Sequence, residues 1–417
     1  MSSIAGNDWP TISYLQEELW EDSLDKSLLL PANLLSFSGL TQYGAISTEI
    51  ALKEGAGFPT TIIDPWGRLL SYQLLEGNFG GVKKYMSSLA TYNNFTTFNA
   101  PYPIITAIGV VASENQCVPP NDATQYEFSP YEFGSWDEGV SAFTPVKYIG
   151  SDLANGAPTE ENKCIEHYDN LGYVLGTSSD IFPAICEVLT PAQGANDSLA
   201  NVLEGIISLV HDPVFEDLFG LYRNPFYNYS RSSRVAADEQ LTLLDGGFSD
   251  QVNPIWPFIV KERSVDVLIV NDNTADTANN FPNGSSIHQT YVQAQIAGLG
   301  KMPFVPEPTV FVEQGLNERA TFFGCDEPDT TLMVFLPNKE YSFNSGTSTG
   351  KIVYSKEETR GMIDNGVLVG SQDGDEGWGL CLACAIKSRD ENLPEGCEAC
   401  FDKYCYRQGA AGNATRV

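Results

Sequence analysis

Three short apolar runs, each closed by turn residues, constrain this chain more than any other feature. Leu241–Leu244, Val265–Val270 and Leu332–Leu336 are continuous rather than helically spaced, so they read as buried strands. Between them lie segments of helical period; Leu199–Val210 carries its apolar residues at that spacing and predicts a helix with one buried face. Strand and helix patterns alternate along the whole length, with no internal repeat and no Ser- or Pro-rich linker. That interspersion implies an α/β or α+β architecture. Asn115–Asp137, rich in Pro, Tyr, Phe and Trp, reads as an ordered aromatic loop. Residues 1–370 read as one body and residues 371–417 as a cysteine-rich appendage.

Charge narrows the partners. Lys and Arg total 23 against 54 Asp and Glu, a formal net charge of −31 over 417 residues. Nucleic acid and anionic membrane would both be repelled by such a surface. No apolar run reaches the roughly 18 residues that a membrane-spanning helix requires. The opening M-S-S-I-A-G-N-D-W-P has neither a basic start nor an apolar h-region, so the expectation is a chain without a signal peptide. Sequons at Asn94, Asn196, Asn228, Asn283 and Asn413 are candidate glycosylation sites, about as many as this composition yields by chance.

The stretch L-T-L-L-D-G-G-F-S-D, from Leu241 to Asp250, carries the most chemical information. An apolar strand delivers Asp245 at its C-terminal end, where sites form in α/β sheets, and Gly246 and Gly247 allow a tight turn and close approach. The competing reading is an ordinary D-G turn between strands. G-T-S-T-G, Gly346 to Gly350, matches a nucleophile-elbow pattern in letters only. Polar residues precede it and K-I-V-Y-S follows, so a Gly/Ser hairpin turn is expected and Ser348 is rejected as a nucleophile. His167, His211 and His288 are the only histidines, and none lies in a catalytic string. G-N-F-G-G at Gly77 to Gly81 fits neither phosphate-binding fingerprint. No cofactor motif is present.

Five of the nine cysteines fall at Cys381, Cys384, Cys397, Cys400 and Cys405. Two C-x-x-C pairs at that distance suit either a four-thiolate zinc site or a set of disulfides, and spacing alone leaves both open.

Taken together, several strings resemble the fungal lysophospholipase, or phospholipase B, family. They are D-P-W-G-R-L-L-S-Y-Q-L (Asp64 to Leu74), Y-E-F-S-P-Y-E-F-G-S-W-D (Tyr126 to Asp137) and L-G-T-S-S-D-I-F (Leu175 to Phe182). D-G-G (Asp245 to Gly247), V-D-V-L-I-V-N-D-N-T-A-D-T (Val265 to Thr277), F-V-E-Q-G-L-N-E-R-A-T-F-F-G-C-D (Phe311 to Asp326) and the paired C-x-x-C follow in family order. The resemblance implies an α/β three-layer sandwich around a central mixed sheet, like the cytosolic phospholipase A catalytic domain, lacking its N-terminal part. It treats residues 1–417 as a single catalytic domain that includes the appendage.

By the same resemblance, the chemistry is hydrolysis of acyl esters in phospholipids and lysophospholipids at a lipid–water interface. A Ser–Asp dyad performs it with no cofactor or metal, and Asp245 matches the dyad aspartate. The family's G-x-S-G-G serine string does not occur in this sequence, and S-S-I-A-G-N-D-W resembles the helix that follows it. The chain is therefore expected to begin just downstream of its nucleophile, with a non-catalytic lipid-binding or surface role as the alternative. Phe248 stands where relatives carry glutamate. The resemblance also implies a secreted protein whose C-terminal cysteines form disulfides.

Overall fold

The structure is a computed structural model that describes residues 2–26, 37–110, 119–161, 163–183, 218–390 and 392–409. The helix expected at Leu199–Val210 lies outside the described residues. The chain divides into two compact units, Met1–Ser249 with Gly350–Lys356, and Asp250–Thr349 with Glu357–Val417.

The first unit is built on a six-stranded sheet. Its strands are β1 (Ile105–Val110), β2 (Gln125–Phe128), β3 (Glu132–Ser135) and β4 (Ala142–Pro145), then β7 (Gly220–Arg223) and β8 (Gln240–Leu244). A two-residue ladder of β5 (Leu153–Ala154) and β6 (Ala157–Pro158) intervenes in the chain. The spatial order is β4-β3-β2-β1-β8-β7, and every neighbouring pair is antiparallel. The strand expected at Leu241–Leu244 is thus β8, lying between β1 and β7 with four buried residues in succession.

The expected aromatic loop is instead the β2–β3 hairpin, turning at Ser129-Pro130-Tyr131. Bulky aromatics stabilise strands by cross-strand contact. Here Phe128 and Phe133 lie 4.6 Å apart between ring centroids, Tyr126 and Phe133 5.5 Å, and all three are buried. The abundance of Pro and Tyr suggested a loop because the single turn was not separable from the strands it joins.

Three helices matter to this unit: α1 (Phe37–Gly55), α2 (Ile63–Leu74) and α3 (Leu171–Ser178). Asn170 caps α3 by accepting a hydrogen bond from Tyr173 N–H at 3.2 Å. α2 and α3 meet backbone to backbone at Gly67, Gly172 and Gly176. A Cβ on Gly67 would strike the Gly172 carbonyl, and one on Gly176 would lie 2.8 Å from the Gly67 Cα. Any larger residue at these positions forces the helices apart. The close crossing lets α3 pack against β8 and β7: a Cβ on Gly220 would lie 2.9 Å from the Thr177 methyl group and 3.2 Å from the Leu243 carbonyl oxygen. The C-terminal end of α3 is therefore delivered beside the last residues of β8.

The second unit holds a three-stranded sheet of β9 (Val267–Asp272), β10 (Thr321–Phe323) and β11 (Leu332–Pro337), in the order β10-β11-β9. β9 and β11 run parallel, with Val270 opposite Phe335, while β10 is antiparallel to β11. Alternation along β11 splits its side chains between two cores. Met333 and Phe335 face a cluster with Val270, Ile287 and Phe311; Leu332, Val334 and Leu336 face one containing Cys381, Cys384, Cys397 and Cys400.

Those cysteines sit on α7 (Trp378–Ile386) and α8 (Cys397–Tyr404), which follow α4 (Ser285–Ile296), α5 (Pro308–Gln314) and α6 (Lys356–Ser371). Residues at i and i+3 share a helix face, so each C-x-x-C presents both sulfurs to the other helix. The resulting disulfides are nested, Cys381–Cys400 outside Cys384–Cys397, and Cys325–Cys405 ties the end of α8 to β10. Cys164 is a free, exposed thiol. The segment 371–409 packs as part of this unit's core rather than beside it.

Candidate active site

β8 is apolar and buried until its end, where the chain must turn and a carboxylate becomes tolerable. Asp245 is half-buried there. Its Oδ1 accepts a hydrogen bond from Gly247 N–H at 2.8 Å, and its carbonyl accepts one from Phe248 N–H at 3.3 Å. The D-G-G-F-S string closes as a 3₁₀ turn, Gly246–Ser249. Neither glycine adopts a positive φ, so a left-handed conformation is not what they supply. They add no side chain beside the Asp245 carboxyl, and the Phe248 ring that follows them packs against the hydrophobic core.

Burial pushes the Asp245 carboxyl up to about 6, against the pull of the Gly247 N–H toward the charged form. A carboxylate poised near neutrality, partly accessible and with one donor to its side chain among the described residues, can accept a proton from a hydroxyl brought to it. Ser249, the nearest serine in sequence, is not that partner. It is buried, its hydroxyl donates to the Gly246 carbonyl at 2.9 Å, and it accepts from Gln125 Nε2 at 3.4 Å.

A second acid at this end of the unit was not singled out by sequence reasoning. Asp180 follows α3 and is fully buried; Oδ1 accepts from Phe182 N–H at 3.0 Å, and Oδ2 has no hydrogen-bond partner among the described residues. Burial first, with the negative charge of Asp245 adding to it, raises its carboxyl well above the usual range, against the pull of the Phe182 N–H. Trp66 fixes this loop by donating from Nε1 to the Ser179 carbonyl at 3.1 Å and by meeting the Phe182 ring edge-on at 5.4 Å. Asp180 lies within the L-G-T-S-S-D-I-F string, but its approach to Asp245 depends on the α2–α3 crossing, which no local pattern reveals.

Other sequence candidates lie elsewhere. Ser348 sits in an irregular loop between β11 and α6 and not in the hairpin turn expected, because the K-I-V-Y-S that follows forms no strand. His167 stacks on Tyr85 at 4.4 Å, and His288 Nδ1 lies 3.1 Å from the Val305 carbonyl on α4; His211 is outside the described residues. Of the sequons, Asn228 is exposed, Asn283 accepts from Ser285 N–H, and Asn94 donates its side-chain amide to the Asp8 carbonyl at 2.7 Å. Asn196 and Asn413 lie outside the described residues. Among the described residues no group of three His, Cys, Asp or Glu converges on a point, and no described helix is long and apolar enough to cross a membrane.

The first unit's antiparallel sheet with its packed helices makes this a mixed α/β fold, and comparison with known proteins gives the family. The profile described as "Lysophospholipase catalytic domain" matches residues 1–411. A lysophospholipase of Kluyveromyces lactis is 36% identical over 435 residues, covering 97% of this chain and 67% of the relative. Lysophospholipase 1 of Aspergillus fumigatus is 37% identical over 383 residues, covering 88% and 60%. Human GIVD cytosolic phospholipase A2 is similar in fold, with a TM-score of 0.65 at 17% identity over 88% of this chain and 54% of that one. The chain belongs to the lysophospholipase catalytic-domain family. It spans about two thirds of the length of these curated relatives.

Proposed function

We propose that this sequence supplies the base of a lysophospholipase, with Asp245 taking the proton from a serine in a Ser–Asp dyad. The observation that carries the reading is a half-accessible carboxyl at the end of a buried strand, its affinity for protons pushed up to about 6. A serine hydroxyl is a weak nucleophile until a neighbour removes its proton, and none of the three histidines lies in a catalytic string. The serine comes from a G-x-S-G-G string that the 417 residues do not contain, so the sequence as written turns over no ester. Gly246 and Gly247 keep the approach to the carboxyl open. The substrate is a phospholipid or lysophospholipid presented at a lipid–water interface. The protein is extracellular, where its thiols oxidise and exposed sequons such as Asn228 can carry glycans.

The test uses a protein that joins this sequence to a G-x-S-G-G-bearing segment. Asp245→Asn keeps the shape and the turn but removes the base, and kcat on lysophosphatidylcholine should fall at least about 100-fold. Near-wild-type turnover by a folded variant, checked by circular dichroism, would return Asp245 to the role of a turn residue.

A further inference from the structure

The first unit carries an exposed aromatic cluster that its core does not require. Phe98 is 93% exposed and holds a φ of 59°, a left-handed conformation that bulky residues avoid. Close by in the chain, Phe95 is buried and anchors three other rings: Trp9, Tyr102 and Tyr131, each 6.0 Å away between centroids. Tyr102 and Tyr131 stack on each other at 6.2 Å and are 47% and 54% exposed. Residues 85–110 include no Asp, Glu, Lys, Arg or His, in a chain where 18% of residues are charged.

Strand register locates this cluster. Tyr131 is in the β2–β3 turn, and Tyr102 precedes β1 by three residues; Ile105, which opens β1, pairs with Phe128, which closes β2. β1 runs antiparallel to β8, with Ile108 opposite Leu244, so the chain leaves β8 toward the end at which β1 begins. Asp245, Tyr102 and Tyr131 therefore share one end of the six-stranded sheet.

We propose that this aromatic rim, with Phe98 at its tip, is the surface by which the unit sits on an uncharged, zwitterionic phospholipid interface; the inference rests on the lipid-hydrolysing reading above. Aromatic rings with one polar edge favour the boundary between headgroups and acyl chains. An exposed apolar patch of this kind marks an interaction surface. The net charge of −31 opposes anionic lipid, and the charged residues flanking the rings, Asp8 beside Trp9 and Glu132 beside Tyr131, are acidic too, which leaves a zwitterionic headgroup layer as the fitting partner. A film contacted here would meet the end of the sheet at which Asp245 lies.

Asn94 provides an internal check. Its side-chain nitrogen is committed to the Asp8 carbonyl, one residue from the anchoring Phe95. A glycan would replace one of the two hydrogens on that nitrogen and place a bulky polar chain beside the rim, shielding it.

The experiment is co-sedimentation of the purified 417-residue protein with phosphatidylcholine vesicles, which needs no turnover and so fails independently of the dyad. Phe98→Ser, at an exposed position, should weaken binding by at least about tenfold. Phe98→Trp should retain it, and Tyr102→Ser with Tyr131→Ser should act in the same direction as Phe98→Ser. Sedimentation velocity without lipid should give the same mass for wild type and Phe98→Ser. Three results would overturn the proposal: unchanged vesicle binding by Phe98→Ser, a wild-type self-association that Phe98→Ser abolishes, or a glycan on Asn94 in secreted protein.

Discussion

Asp245 and Asp272 occupy matching positions in the two units. Each ends a strand, β8 or β9, and each accepts a hydrogen bond from the N–H two residues on, Gly247 at 2.8 Å or Thr274 at 3.0 Å. Burial raises the carboxyl of both above the usual range. They differ in what surrounds them. Asp272 is fully buried, and its Oδ2 has no hydrogen-bond partner among the described residues, while Asp276 nearby holds Thr274 and Asn283 in place. Asp245 is partly accessible, with one backbone donor to its carboxyl among the described residues. Spare acceptor capacity at a strand end is therefore common to both; access is what differs. By that measure Asp245 is the acid that an incoming hydroxyl could reach.

The largest expected contrast is in stability. Asp272→Ala removes a fully buried side chain and leaves the buried Thr274 N–H without its acceptor, and should cost about 2–4 kcal/mol, whereas Asp245→Ala, at a partly accessible position, should cost about 1 kcal/mol or less. Urea denaturation of both variants measures this, and equal losses would dissolve the distinction.

The next effect concerns pH. An acid whose folded value lies above its unfolded value binds more protons when folded, so its contribution is fully present below pH 4 and is lost as pH rises through about 6. For Asp245 the loss should be about 2 kcal/mol, allowing for its partial accessibility. Asp245→Asn should remove that slope and be the more stable protein at pH 8. A wild-type slope that survives the substitution would assign the titration to another group.

The smallest is Asp180→Asn. Burial disfavours charge on Asp180, so an uncharged amide of the same shape should change stability by no more than about 1 kcal/mol in thermal denaturation. A larger loss would mean that the fold needs the carboxyl itself.

How much of this was legible beforehand follows the range of the interactions. β8, β9 and β11 were readable as strands because continuous apolar runs bounded by turns are a local signal, although β9 runs over Val267–Asp272 and leaves Ile269 exposed where a buried strand was expected; Asp245 was readable because it ends such a run. The D-P-W-G-R and L-G-T-S-S strings were recognisable as family features, yet their physical role was not. Gly67, Gly172 and Gly176 form one contact across more than 100 residues, and sequence spacing says nothing of that. Asp180 was missed for the same reason. The β2–β3 hairpin was misread because its stabilising ring contacts cross between strands. The pairing of Cys325 with Cys405, 80 residues apart, likewise left no trace in the C-x-x-C spacing.

The central claim is that Asp245 must lose its proton to work as a base, and the pH dependence of kcat/KM tests it most directly. In a protein that joins this sequence to its serine string, log kcat/KM on lysophosphatidylcholine should rise with pH and level off above a midpoint near 6. Asp245→Asn should retain only a residual rate without that inflection. A profile that is flat from pH 5 to 8, or an inflection near 6 that persists in Asp245→Asn, would contradict the account.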